Sequence, residues 1–295
     1  MSSTSSASLL LAPVSGRRRT TDRLMRGILL AGTVIALIPL VLVVYYLFSR
    51  GLKGMTASGF FTTDPTGNFL GNPGGVKSAI LGTLEIVALA AVIAIPVGIG
   101  VALYLVEFGK KTIFAQFVRY FIDVMTGVPS IVFGLFIYIT LVTTKIGGSF
   151  TGWKGSLALA LLMLPVVTRS AEVVLILVPE SLREAALALG VPRWKVTMKI
   201  VLPTALPGLI TGSLLAVARG MGETAPLLFT SATVFGTTYN LGDRMNSLPA
   251  QIFADISQPK DDIVNRAWAS ALTLVLLILA ITLIARLAAR RSRVS

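Results

Sequence analysis

Long apolar runs recur along the chain, each ended by charged or turn-forming residues. Five carry no charge: Gly27–Ser49, Ile86–Val106, Val124–Thr144, Ile200–Ala218 and Ala267–Ala285, of 19 to 23 residues each. A sixth, Gly155–Pro179, is interrupted only by Arg169 and Glu172. About 20 residues at 1.5 Å rise span the roughly 30 Å hydrocarbon core of a bilayer. Backbone groups in lipid must bond within their own segment, so the runs are expected to be helices. The pattern predicts an all-α integral membrane protein with six transmembrane helices.

The segments between the runs give the organisation. Residues 1–26 read as a disordered basic tail, and 27–49 as the first transmembrane helix. The basic start could also open a secretory signal peptide, but "YYLFSRGLKG" offers no small-x-small cleavage site, so a retained helix is the reading taken. Residues 75–289 read as a transmembrane domain of five helices with one polar insert, 180–203. Within helix five, Gly208, Gly212, Ala216 and Gly220 form a small-residue stripe suited to tight helix contact. Gly127 and Gly134 are expected to allow close approach around helix three. "NSLPAQIFADISQP" reads as a short amphipathic helix in the last loop.

Composition then narrows the chemistry. Cysteine and histidine are both absent. Disulfides, thiol chemistry, histidine bases and common zinc sites are thereby excluded, and no metal site or catalytic set is expected. "GNPGGVKS" at 71–78 nearly spells a phosphate-binding loop, but Val76 stands where a glycine is required and no strand precedes it. The net charge of +13 reports topology before it suggests nucleic acid, which is not an expected partner. With the N-terminus inside, sixteen of the 26 Lys and Arg fall on the cytoplasmic side and eight outside, leaving Arg169 and Arg219 in the membrane. A multi-pass protein with both termini cytoplasmic is expected.

The insert "EAALALGVPRWKVTMKIVLP" is the most informative stretch. Leu182, Ala185, Ala186 and Leu189 recur at helical spacing and give a shallow apolar face. Gly190 suits a positive-φ turn ending one helix, and Pro192 the start of another. Such a face fits another protein's groove, or it is merely an amphipathic loop. The spacing goes further. Glu184-Ala185-Ala186, Gly190, Ile200 and Leu202-Pro203 form the pattern EAA-x3-G-x9-I-x-LP, which resembles the EAA loop of permease subunits of bacterial ABC importers. The resemblance implies a cytoplasmic coupling helix between helices four and five, resting on a partner ATPase.

"GVPSIVFGLF", "LPVVTRSAE", "REAALALGVPRW" and "LPGLITGSLLAVARGMGETAPLLFT" narrow the resemblance to the permeases of phosphate-specific ABC importers. "GETAP" and "SLPAQIF" fit the A-type better than the C-type permease. This implies a bacterial inner-membrane subunit that translocates inorganic phosphate and is not itself an enzyme. The implied partners are a homologous C-type permease, a dimer of ATPase subunits that alone holds ATP and Mg, an external phosphate-binding protein and the lipid bilayer; no cofactor is expected on this chain.

Arg169 and Glu172 stand three apart, and Arg219 and Glu223 four apart, so each pair can meet on one helix face. Each pair either pins helices together or lines an anion's path. Ionised groups within the bilayer cost several kcal/mol, and Arg offers the fork that matches phosphate oxygens, which favours the path. Arg169, Glu172, Arg219, Glu223 and Thr224 are therefore the candidate translocation residues, with Thr168 a further hydroxyl donor. The same architecture for another oxyanion and a proton-coupled carrier using Glu85, Glu172 and Glu223 are the alternatives.

Overall fold

The computed structural model describes residues 16–66, 73–109, 112–144 and 146–291. Among the described residues every regular element is helical, joined by loops such as 229–247, with one isolated bridge, Pro65 to Gly74. In chain order the helices are α1 (Gly16–Met55), α2 (Lys77–Leu103), α3 (Ile113–Gly127), α4 (Ser130–Ile137), α5 (Gly152–Ile176), α6 (Glu180–Ala188), α7 (Arg193–Val196), α8 (Leu202–Met221), α9 (Ala225–Leu228), α10 (Leu248–Ile256) and α11 (Asp261–Arg291). Three π-helical turns, Tyr104–Phe108, Tyr138–Val142 and Thr197–Val201, extend α2, extend α4 and join α7 to α8. Two compact units divide the chain, residues 1–49 and 50–295.

The first unit is the start of α1, helical from Gly16. Residues 16–26, expected to be disordered, are therefore helical; residues 1–15 lie outside the described set. An apolar helix already nucleated at Gly27 extends back through Arg and Leu, which are good helix formers, at little cost.

In the second unit four helical segments, Lys77–Phe108, Gly152–Ile176, Arg193–Met221 and Asp261–Leu287, are long and apolar enough to cross a membrane, as is α1. The expected third span is not one helix. Ile113–Gly127 and Ser130–Val142 meet at 103°. Pro129 excludes Val128 from helical geometry and donates no backbone hydrogen, so the chain turns where a continuous helix was expected. Six spans result only if this bent pair counts as one.

The core is α2, α5 and α8. Gly98 lies against Val167 and Ile86 against Gly155, so α2 and α5 run parallel. Gly208 lies against Val174, Gly212 against Ser170 and Gly220 against Met163, so α8 runs antiparallel to α5 with the small-residue stripe as its seam. A Cβ on Gly212 would come within 2.6 Å of the Ser170 hydroxyl. Of the two glycines expected to aid packing around the third span, Gly134 abuts Pro226, while Gly127 has nothing within 4 Å.

The end opposite the polar insert is closed by α10, the short helix expected in "SLPAQIF". Its Asp255 takes Arg266 of α11 in a bidentate pair, 2.7 and 2.8 Å. Burial holds the Asp255 carboxyl above the usual carboxylate range, and Arg266 opposes that shift only in part. The stretch that nearly spells a phosphate-binding loop is also here. The backbone N–H groups of Gly75, Val76 and Lys77 donate to the carbonyls of Asp64, Phe60 and Thr63, and that of Ser78 to the Asp64 side chain. These four consecutive donors are taken and are not available to cradle a phosphate.

Candidate functional site

Two groups of the expected site residues sit apart, one in the insert and one on the spans. The insert folds as α6, a turn, and a second helix. Val191 N–H donates to the Ala186 carbonyl and Gly190 N–H to Leu187, with Gly190 at φ +79°. This is a Schellman cap, in which a left-handed residue lets two N–H groups satisfy carbonyls of the last turn. The second helix is not a separate short piece. α7 passes through the π-turn Thr197–Val201 into α8, so Ile200 lies in the turn and Leu202-Pro203 opens α8. Pro203 cannot donate to the preceding turn, and a widened turn just before it accommodates the missing bond. Ile200 and Leu202 pack on a core formed by Leu175, Val178, Ala186, Val196 and Val201.

α6 has two distinct faces. Arg183 and Ala186 point into the protein, while Leu182, Glu184, Ala185 and Leu189 are exposed, Leu189 at 84%. Ala186 therefore belongs to the inner face and not to the exposed apolar one. What remains outside is a ridge, Leu182–Ala185–Leu189, beside the Glu184 carboxylate.

The Gly190 cap gives a direct prediction. The space around the glycine is open, so Gly190→Val meets no clash, only the strain of a β-branched residue at positive φ. That strain is expected to cost about 1–2 kcal/mol locally and to loosen the turn. Limited proteolysis of the purified protein should cut faster between Ala188 and Arg193 in the variant; an unchanged rate would show the turn holds without glycine.

On the spans, the structure brings Arg169 and Glu172 together and adds two residues that the sequence pattern did not single out. Arg169 donates to Glu172 at 2.6 Å and also pairs with Asp123 on α3. Arg119 of α3 donates to the other Glu172 oxygen at 2.8 Å and to the Leu105 carbonyl at 3.1 Å. Glu172 is 7% exposed and holds two guanidiniums. The result is a neutral cluster of two arginines and two carboxylates that clamps α3 to α5. Arg119, counted among loop cations, is on a helix. The signal was the four-residue spacing of Arg119 and Asp123 on an amphipathic segment. Thr168 is fully buried and donates to the Leu164 carbonyl.

Arg219 differs in kind. It lies in the last turn of α8, its side chain is 57% exposed, and among the described residues its one ion pair, Nε to Glu223, is 3.9 Å long. Glu223 lies beyond the helix end, in the turn leading to α9, so the two do not share a helix face. The adjacent Thr224 carbonyl accepts from the Leu227 and Leu228 N–H groups, and Gly134 holds that turn against α4. The Arg219 fork is thus largely free, whereas that of Arg169 is occupied by carboxylates. The α5–α8 pairing puts Arg219 level with Met163 and Arg169 level with the region of Gly212, about 9 Å apart along the axes. Among the described residues no ion pair joins the two sites, and no group of His, Cys, Asp and Glu could hold a metal.

This arrangement, a bent third span, a core of three helices and a capped helix standing out at one end, is the fold of ABC importer permeases. Two solved structures share it. One chain of a bacterial alginate ABC transporter aligns over 92% of this chain and 96% of its own length, with TM-score 0.66 at 17% identity. A chain of the inward-facing MetNI methionine transporter aligns over 72% and 92%, with TM-score 0.56 at 19% identity. The family profile described as "Binding-protein-dependent transport system inner membrane component" matches residues 94–294, and the chain belongs to that family. Among its relatives, the phosphate transport system permease protein PstA of Haemophilus influenzae is 38% identical over 92% of this chain and 94% of its own. The PstA of Mycobacterium leprae is 40% identical over 93% and 90%, and that of Yersinia pestis 39% over 91% and 90%.

Proposed function

We propose that this chain is the A-type transmembrane permease of an ATP-driven importer that carries inorganic phosphate into a bacterial cell. The observation that carries this reading is the likeness to phosphate permeases along nine-tenths of the chain. The geometry agrees with it. The insert presents an outer ridge of small and aliphatic residues suited to a groove on an ATPase subunit, with Glu184 beside it. Arg219 offers a largely free fork level with the centre of α5. Phosphate is a mono- or dianion near neutral pH, and a planar fork of donors matches its oxygens.

In this reading the end bearing α6 faces the cytoplasm, as do both termini. ATP and Mg are held by a pair of partner ATPases, a homologous C-type permease completes the path, and an external binding protein delivers phosphate. This chain supplies no hydrolytic chemistry. Glu223 keeps Arg219 from trapping the anion, since a path must release what it admits. Arg169, Glu172 and Asp123 stand on the cytoplasmic side of that point.

The test is labelled-phosphate uptake at low external phosphate in cells lacking the chain and other phosphate importers. Restoring the chain should restore uptake that depends on ATP and persists when the proton gradient is collapsed. Uptake that follows the gradient at constant ATP would overturn the reading.

A further inference from the structure

The inner face of α6 carries a buried charge for which neither the fold nor the proposed path has a use. Arg183, 9% exposed, meets Glu107, 10% exposed, with Nε at 3.1 Å and Nη2 at 2.8 Å from the same carboxylate oxygen. Its guanidinium also donates to the Val178 carbonyl at 2.6 Å and the Leu175 carbonyl at 2.9 Å. One side chain thus joins three elements: its own helix α6, the last turn of α5, and the π-turn that ends α2. The carbonyls at the end of α5 are those a helix leaves unpaired, where a cation is favoured.

The same π-turn receives a second arginine. Leu105 accepts from Arg119, and Arg119 holds Glu172. Hydrogen bonds therefore tie the coupling helix and the ion cluster on α5 to the same turn at the end of α2, at Glu107 and at Leu105, two residues apart along the chain. π-Turns mark places where a helix departs from its regular ladder, often at functional positions.

We propose that Arg183 is a positioning residue of the transport cycle, fastening α6 to the inner ends of α2 and α5 so that the three move as one body when ATP closes the partner subunits. This rests on the reading of the chain as an ATP-driven permease. A push on the outer ridge of α6 cannot then be absorbed by tilting of that helix alone. It is delivered to α5, which carries Glu172 and Arg169, and to α2. A purely apolar seat would hold α6 less directionally, because packing permits sliding that a fork bonded to three acceptors does not.

The chain has no cysteine, so a spin-label pair placed in it meets no background from the chain itself. Labels at Gly100→Cys on α2 and at Ser181→Cys, an exposed position of α6 that is not part of the ridge, in the assembled complex with its ATPases in lipid, report the distance without nucleotide and with trapped ATP. The expected result is one distance, unchanged by ATP. Glu107→Gln keeps an acceptor but removes the charge. In that variant ATP should shift or broaden the distance, and phosphate moved per ATP should fall roughly 2- to 30-fold while the ATPases still co-purify. Arg183→Lys, which keeps charge without the fork, should fall between. A wild-type distance that shifts with ATP, or a Glu107→Gln complex matching wild type in both readouts, would overturn the proposal. So would loss of the ATPases from Glu107→Gln, which would make the pair part of the docking surface only. A wild-type complex that hydrolyses ATP but moves no phosphate would instead sink the substrate reading, leaving the distance result in force.

Discussion

Arg219→Ala is expected to lower phosphate uptake by roughly 10- to 150-fold, the loss of one charge-assisted contact worth about 1.5–3 kcal/mol. Assembly and thermal stability should be unaffected. The reason is exposure: the guanidinium packs on little and is tied to Glu223 only across 3.9 Å. Arg219→Lys separates two roles. It keeps the positive charge at the end of α8 but replaces a planar fork with a point charge, so uptake should recover only in part. Glu223→Gln should act in the opposite sense on affinity. Without the competing carboxylate the anion is held longer, so uptake should saturate at lower phosphate and reach a lower maximum. Uptake of labelled phosphate in reconstituted vesicles checks all three. A fully active Arg219→Lys would remove the fork from the mechanism, and a fully active Arg219→Ala would take the residue off the path.

The difference between Arg219 and Arg169 was not legible in the sequence. Both read as membrane arginines with a carboxylate three or four residues on, and helical spacing treats the two pairs alike. Tertiary structure separates them. α8 stops at Met221, so Glu223 leaves the helix face that spacing assigned to it, whereas Arg169 stays within α5 and gains Asp123 from α3.

Arg119 and Asp123 come from a segment that the charge count assigned to a loop. A helix bent by 103° brings that segment back against α5. The bend itself had a local cause in view, Pro129 after Val128. In an uncharged run long enough to span, length and composition outweigh one proline, so the pattern predicts a continuous helix. Local features fared better, because their physics is local. Gly190 adopts the positive φ that its place after an amphipathic segment suggests, and the Gly208–Gly220 stripe packs on α5 as small residues at that spacing should. The inner face of α6 was half legible. Ala186 was grouped with the outer ridge because no pattern within nine residues says that Arg183 turns inward; that depends on Glu107, 76 residues earlier.

Glu172→Ala should damage the protein more than any other change in the ion cluster. The carboxylate is 7% exposed and is the shared partner of Arg119 and Arg169. Removing it leaves Arg169 with Asp123, on the exposed side of the cluster, and Arg119 with the Leu105 carbonyl. Breaking a fully buried pair costs about 3–5 kcal/mol, mostly from the stranded charge. Both arginines here are about one-third exposed, so solvent recovers part of that, and roughly 2 kcal/mol is expected. For a chain of this size such a loss lowers the melting temperature by about 5 °C. Glu172→Gln, which still accepts a hydrogen bond, should lose less, and Asp123→Asn little, because Asp123 is already largely in solvent. The order is the prediction: Ala worst, then Gln, with Asp123→Asn near wild type. If Asp123→Asn proved as damaging as Glu172→Ala, the cluster would be held by its exposed edge, and the clamp between α3 and α5 would have to be placed there. A second comparison separates clamp from path. Replacing Arg119 and Glu172 together with methionine removes the stranded charge as well as the pair, so stability should largely return. If uptake returns with it, the cluster serves as a clamp. If stability recovers and uptake stays low, the charges at Arg119 and Glu172 take part in transport itself.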